Sequence, residues 1–275
     1  MLKYRIITGL ILAPLAALAV FYLPAVWFAL VFWAVAALGA YEWAGLLRLD
    51  SPLARLGYVC CFALLAVFLY WLDLPYAEAG FVPLLIFGCL FWSVAMFAVV
   101  SYPTGQALFA APWFLAIIGL IVVSVAWVSL IVIRSQTAGS IWLVWMFCLV
   151  WGADIGAYFA GRGFGRRPLA PAVSPNKSWE GVWGGFALSG IVCGGVVVWW
   201  QGQPILWLVL TAALITIAVF GDLFESLIKR ATGVKDSGNI LPGHGGMLDR
   251  IDSILAVLPF FALSLYLLQP TTGGG

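Results

Sequence analysis

Residues 204–230 read PILWLVLTAALITIAVFGDLFESLIKR. No charged side chain interrupts 204–221, and then Asp222, Glu225, Lys229 and Arg230 arrive within nine residues. A helix rises about 1.5 Å per residue, so roughly 20 apolar residues cross the hydrocarbon core of a bilayer. The stretch therefore predicts a transmembrane helix whose last turns carry polar chemistry to the membrane boundary.

The rest of the chain repeats the apolar part of this pattern. Of 275 residues, 64% are hydrophobic and 9% are charged, whereas a soluble domain has roughly 45–50% apolar and 25% charged residues. With mean hydropathy at +1.10, a soluble globule is excluded. Apolar runs between polar breaks fall at 5–22, 25–47, 53–72, 80–100, 112–133, 139–160, 179–200, 204–228 and 251–269. The expected fold is all-α, a polytopic integral membrane protein with about nine transmembrane helices. Lys3 and Arg5 before the first run resemble the start of a signal peptide, but Pro14 and the lack of a polar cleavage region favour a retained first helix.

Net charge is only +2 and no basic run of five occurs, so no nucleic-acid partner is expected. The positions of the charges say more. If the N-terminus faces the cytoplasm, the alternating spans put 12 of the 13 basic residues on that side and only Arg134 on the other, as the positive-inside rule requires. Residues 151–252 hold 15 of the 24 charges. Residues 1–138 thus read as transmembrane scaffold, and 139–275 as a catalytic region with cytoplasmic loops.

Three clusters could carry chemistry. Asp222, Glu225, Ser226 and Lys229 fall at i, i+3, i+4 and i+7 on one helix face. Helix ion pairs at a membrane exit would explain them, but ionisable groups on the apolar side of that exit point to function. Next, residues 231–248 contain Gly233, Gly238, Gly243, Gly245, Gly246 and Pro242 around His244, flanked by Lys235 and Arg250. Such a loop lets backbone N–H groups approach a phosphate. Asp249, Asp252 and Ser253 then open the last span. One Asp would suffice as a helix cap; two facing Asp222 and Glu225 make an oxygen-rich cage suited to Mg²⁺. In the third cluster, Arg162, Arg166, Arg167 and Lys177 lie among glycines in an expected cytoplasmic loop, with Asp154 buried in the preceding span and Lys177 as its candidate partner. By contrast, Gly181/Gly185 and Gly190/Gly194 read as helix-packing positions, and most of the 15 tryptophans as interfacial anchors.

The segment SLIKRATGVKDSGNILPGHGGMLDRID, residues 226–252, resembles the signature of the phosphatidate cytidylyltransferases (CDP-diacylglycerol synthases). Its S-x-x-K-R, K-D, H-G-G and D-R-x-D elements stand in order. The resemblance extends to DIGAY at 154–158 and SPNKSWEG at 174–181, where Asn176 replaces a more usual Lys or Arg. It implies CTP and phosphatidate as substrates and CDP-diacylglycerol and pyrophosphate as products. It also implies an all-helical homodimer in the inner (cytoplasmic) membrane, with Mg²⁺, and K⁺ beside it, as cofactors. Asp222 and Asp249 are then the metal ligands, supported by Glu225 and Asp252, and Lys229 and Arg250 join them as catalytic residues. Substrate contacts fall to Lys177, Ser178, Ser226, Arg230, Lys235, Asp236, His244, Gly245, Gly246 and Asp154. A CTP-using lipid kinase shares most of these needs. An ion-binding transporter is disfavoured, since the chain shows no internal repeat and its charges gather at one face.

Overall fold

The computed structural model describes residues 2–72, 80–197, 203–234, 237–238, 240 and 245–268, with backbone alone for 2–10. The helices are α1 (Leu2–Tyr22), α2 (Ala25–Leu46), α3 (Pro52–Trp71), α4 (Val82–Ser101), the short α5 (Gln106–Phe109), α6 (Pro112–Ser135) and α7 (Gly139–Phe164). After a hairpin come α8 (Trp179–Ser189), α9 (Pro204–Thr232) and α10 (Leu248–Leu268). α8 runs on through a π-helical turn, Gly190–Gly194, to Val197. Among the described residues eight helices are long and apolar enough to cross a membrane, and Ile11–Tyr22 of α1 forms a shorter apolar helix. The chain is an all-α polytopic membrane protein, and its helices begin and end within a few residues of the nine apolar runs.

A small hairpin lies outside the spans among the described residues. β1 (Pro168–Ala170) pairs antiparallel with β2 (Ser174–Ser178), with an irregularity between Pro168 and Ala170. The glycine-rich stretch expected to be loop from residue 161 is also partly helical, because α7 continues to Phe164 before the chain leaves it. Gly161 lies beside Gly181 Cα and Ser178 Oγ, where the end of α7 runs alongside the start of α8.

α6 forms the centre, with residues 122–133 buried without interruption. Neighbouring helices are fastened to it by polar groups that donate to carbonyls: Trp43 Nε1 to Leu115 O at 2.9 Å, Trp127 Nε1 to Ala29 O at 3.0 Å and Tyr58 OH to Ala116 O at 2.8 Å. In lipid each buried donor needs such a partner. Not all tryptophans are placed as interfacial anchors would be: Trp43, Trp92, Trp127, Trp142, Trp145 and Trp207 are buried, whereas Trp27, Trp71, Trp113, Trp179 and Trp183 are exposed. Trp142 stacks on Trp207 with centroids 5.0 Å apart, and Phe261 meets Trp142 edge-on. This group joins α7, α9 and α10.

The glycine pair in α8 does what its spacing predicts. A Cβ on Gly181 would sit 3.0 Å from Ala157 O, and one on Gly185 2.8 Å from Ala153 O, so α7 and α8 pack almost backbone to backbone. Ser189 Oγ completes the contact by donating to Leu149 O at 2.7 Å. Buried apolar residues from Val20 to Leu265 form one core shared by both halves of the chain.

The bundle has two distinct ends. At one, Arg134 stands over the Phe28 ring and Ser140 Oγ donates to Val20 O. At the other, the hairpin, the C-terminal part of α9 and the start of α10 come together. Lys177, Asp222, Glu225, Lys229, Asp249 and Asp252 all gather toward this second end.

Candidate active site

α9 keeps its helical register to Thr232, so the i, i+3, i+4, i+7 stripe survives, and Gly233 ends it with φ of 78°. Lys177, on β2, forms an ion pair with Asp222. This differs from the expected Lys177–Asp154 pair: the hairpin delivers the ammonium to α9. Asp154 is on α7, within a helix long enough to span the membrane and within electrostatic reach of Asp222, Lys177 and Arg250. Ser226 Oγ approaches Asp222 Oδ1 at 3.5 Å.

Lys229 holds the centre. Its Nζ lies 2.7 Å from Asp249 Oδ1 and 3.5 Å from Glu225 Oε1. The other Asp249 oxygen accepts from Gly246 N at 3.2 Å, which ties the first turn of α10 to the end of the glycine-rich loop. Glu225 is 3% exposed, and neither of its oxygens has a hydrogen-bond donor. Asp252 lies in the electrostatic field of Asp222, Glu225 and Asp154.

Not every expected contact is available to a ligand. Ser178 Oγ accepts from Gly181 N at 3.1 Å and caps α8. Arg230 Nε donates to Val173 O at 3.2 Å and ties α9 to the hairpin turn. Arg162 donates to Tyr158 OH at 2.9 Å. Gly245 has φ of 81°, a left-handed conformation suited to glycine. Lys235, Asp236 and His244 lie outside the described residues.

The expected cage of four carboxylates is divided. Among the described residues, no three acidic, histidine or cysteine side chains converge as metal ligands would; Lys177 stands at Asp222 and Lys229 at Asp249. A divalent cation nevertheless fits the charge of the cluster. Five carboxylates (Asp154, Asp222, Glu225, Asp249, Asp252) face three cations (Lys177, Lys229, Arg250), a formal excess of two negative charges. Glu225 Oε2, buried and without a hydrogen-bond donor, points the same way. Mg²⁺ commonly uses only one or two protein carboxylates, with phosphate oxygens and water filling the remaining positions.

Two residues with structural importance were not assigned roles from sequence. Glu180 accepts from Arg166 N at 3.1 Å, Arg167 N at 3.2 Å and Arg167 Nε at 3.0 Å, clamping the entrance to the hairpin. Glu42, far away on α2, is 2% exposed and accepts from Leu248 N at 2.7 Å. A lone acid in an otherwise apolar span is itself a signal that could have found it.

Beside the charged cluster lies a cavity of about 580 Å³, lined by apolar side chains including Leu169, Val173, Trp183, Val219, Phe220 and Leu223. Leu223 follows Asp222 directly, and Trp179, also on the wall, is two residues beyond Lys177. Ionic and apolar surfaces therefore adjoin at one end of the bundle.

Residues 3–268 match the model of the cytidylyltransferase family. The chain belongs to that family. Within it, this cytidylyltransferase-family chain is 43% identical over 269 residues to the phosphatidate cytidylyltransferase of Pseudomonas aeruginosa, covering 97% of each. It is 38% identical to the phosphatidate cytidylyltransferase of Haemophilus influenzae, over 95% of this chain and 98% of the relative. The Bacillus subtilis protein of that name is 33% identical, over 96% and 98%. The family assignment makes this chain an enzyme of nucleotidyl transfer, embedded in a membrane by several spans.

Proposed function

We propose that the chain transfers the cytidylyl group of CTP to phosphatidate, releasing pyrophosphate and forming CDP-diacylglycerol, at the cytoplasmic face of the bacterial inner membrane. The observation that carries this reading is the junction of the ionic cluster with the apolar cavity at Asp222–Leu223. Phosphatidate has both parts, an anionic headgroup and apolar acyl chains. Near-complete alignment with relatives named for this activity supports the same reading.

A phosphatidate oxygen attacks the α-phosphorus of CTP; the new P–O bond forms as the bond to the pyrophosphate oxygen breaks. The nucleophile is already ionised, so the protein needs no general base. Its task is to hold two anions in line and neutralise their charge. Asp222 and Asp249 would hold Mg²⁺, with Glu225 and Asp252 behind them, and the ion would supply charge neutralisation at the phosphate oxygens. Lys177 and Lys229, released from their carboxylates, would turn their ammonium groups toward phosphate. Arg250 and the N–H groups of Gly245 and Gly246 would contact phosphate on the loop side. The homodimer belongs to this proposal too, and cross-linking in membranes tests it.

Purified protein given phosphatidate, Mg²⁺ and CTP labelled separately at the α and γ phosphorus tests the reaction. Label from the α position should enter the lipid, with pyrophosphate released. Label from γ alone would assign a lipid kinase, and absence of both labels from the lipid would overturn the enzymatic reading.

A further inference from the structure

Glu42 reaches the site from the half of the chain that carries none of the signature. Trp43 Nε1 donates to Leu115 O and fixes the rotation of α2 against α6. Gly39, one turn earlier on α2, leaves room for Ile251 and Leu248 at the start of α10. The two helices thus approach closely, and Glu42 Oε2 meets Leu248 N at 2.7 Å. That N–H is one of those left unpaired at a helix start, where the positive end of the dipole favours an anion.

The carboxylate also braces the glycine loop from below. A methyl at Gly238 would fall onto Glu42 Oε1 and Cδ, and one at Gly246 between Ser237 Oγ, Glu42 Oε2 and Asp249 Oδ2. Glu42 and Asp249 therefore flank Gly246, one bonding Leu248 N and the other Gly246 N. Among the described residues, Glu42 has no cation within ion-pair distance and its Oε1 has no donor. A buried carboxylate is costly where apolar packing would suffice; here its evident work is at the start of α10.

We infer that Glu42 is a positioning residue for cytidylyl transfer: it sets the start of α10 and the residues packed on it, Ser237, Gly238 and Gly246, so that Asp249 and the Gly245–Gly246 N–H groups meet the phosphates together. The inference rests on the role proposed above for Asp249. It predicts a defect in turnover more than in substrate affinity, since the groups remain present but misplaced.

The test uses full-length protein in detergent or nanodiscs. Glu42→Ala should lower kcat about 10- to 100-fold, the scale of a misplacement near 1 Å, while KM for CTP and phosphatidate stays within about threefold. Glu42→Gln keeps an oxygen for Leu248 N and should restore kcat to within about threefold of the wild type. Gly238→Ala, which presses on the same carboxylate, should lower kcat, yet add little in the Glu42→Ala background because the two changes share one contact. Amide exchange at Leu248 should quicken in Glu42→Ala and Gly238→Ala and remain slow in Glu42→Gln.

Wild-type kcat in folded Glu42→Ala, or failure of Glu42→Gln to restore it, would overturn the inference. Should Glu42→Ala not fold, Gly238→Ala decides: wild-type kcat with an unchanged Leu248 amide overturns the inference. Lack of cytidylyl transfer by the wild type would instead defeat the proposed reaction, and the exchange measurement would still report on the Glu42 contact.

Discussion

The Lys229 ammonium stands 2.7 Å from Asp249 Oδ1, bonding the last turns of α9 to the first turn of α10 across a sequence separation of 20. The same ammonium is 3.5 Å from the buried Glu225. One cation therefore fixes the geometry between two helices whose carboxylates would otherwise repel.

Lys229→Met should lower cytidylyl transfer by about 100-fold or more, because it removes a positive charge from the place where phosphate charge must be stabilised. It should also lower the melting temperature in detergent, since it leaves Glu225 and Asp249 without their cation. Steady-state kinetics and a thermal melt measure the two effects. Normal turnover in the folded variant would confine Lys229 to a structural role.

Asp222→Asn and Asp249→Asn should each reduce turnover by roughly 100-fold or more at saturating Mg²⁺, while the protein still inserts and elutes as the wild type does. Chelation of divalent cations should silence the wild type, and Mg²⁺ should restore it. Full activity in either variant would leave that carboxylate with only its ion pair to Lys177 or Lys229.

Gly184 has no room for a side chain, since a Cβ there would meet Ala160 Cβ and Gly156 O. Gly184→Val should destabilise the bundle by about 1–3 kcal/mol, as overpacking does. Thermal unfolding in detergent measures this, and a wild-type melting temperature would contradict the close approach of α7 and α8.

The 162–177 and 229–250 segments should face the cytoplasm. In a cysteine-free background, a cysteine at position 240 should resist an impermeant reagent in intact cells and react after lysis. Labelling in intact cells would reverse the orientation and remove the access to CTP that the reaction requires.

Much of this arrangement was legible from apolar run length. Spans such as 25–47 and 204–228 are long and predominantly apolar, each opening next to a proline and ending beside basic residues, so they agree closely with α2 and α9. The helical spacing of Asp222, Glu225, Ser226 and Lys229 likewise needed only a continuous α9. The hairpin escaped because Ser174–Ser178 is short, polar and contains Pro175, with no alternation to mark a strand. Ser178 looked available to a substrate, although Ser-Trp-Glu-Gly also reads as a capping residue entering a helix. Its bond to Gly181 N depends on that local turn. The Lys177–Asp222 pair and the reach of Glu42 are tertiary facts, set by where β2 and α2 pack, so spacing within one element could not disclose them.

The Glu42–Leu248 bond spans 206 positions and joins the second helix to the last one described. Gene fusion or recombination that transplanted residues 139–275 onto another membrane bundle would carry every element of the 154–252 signature. It would leave behind the acceptor for Leu248 N. The heritable module is accordingly larger than the signature, and a grafted 139–275 segment should regain turnover only when its host helix offers a hydrogen-bond acceptor, carboxylate or amide oxygen, at the same depth.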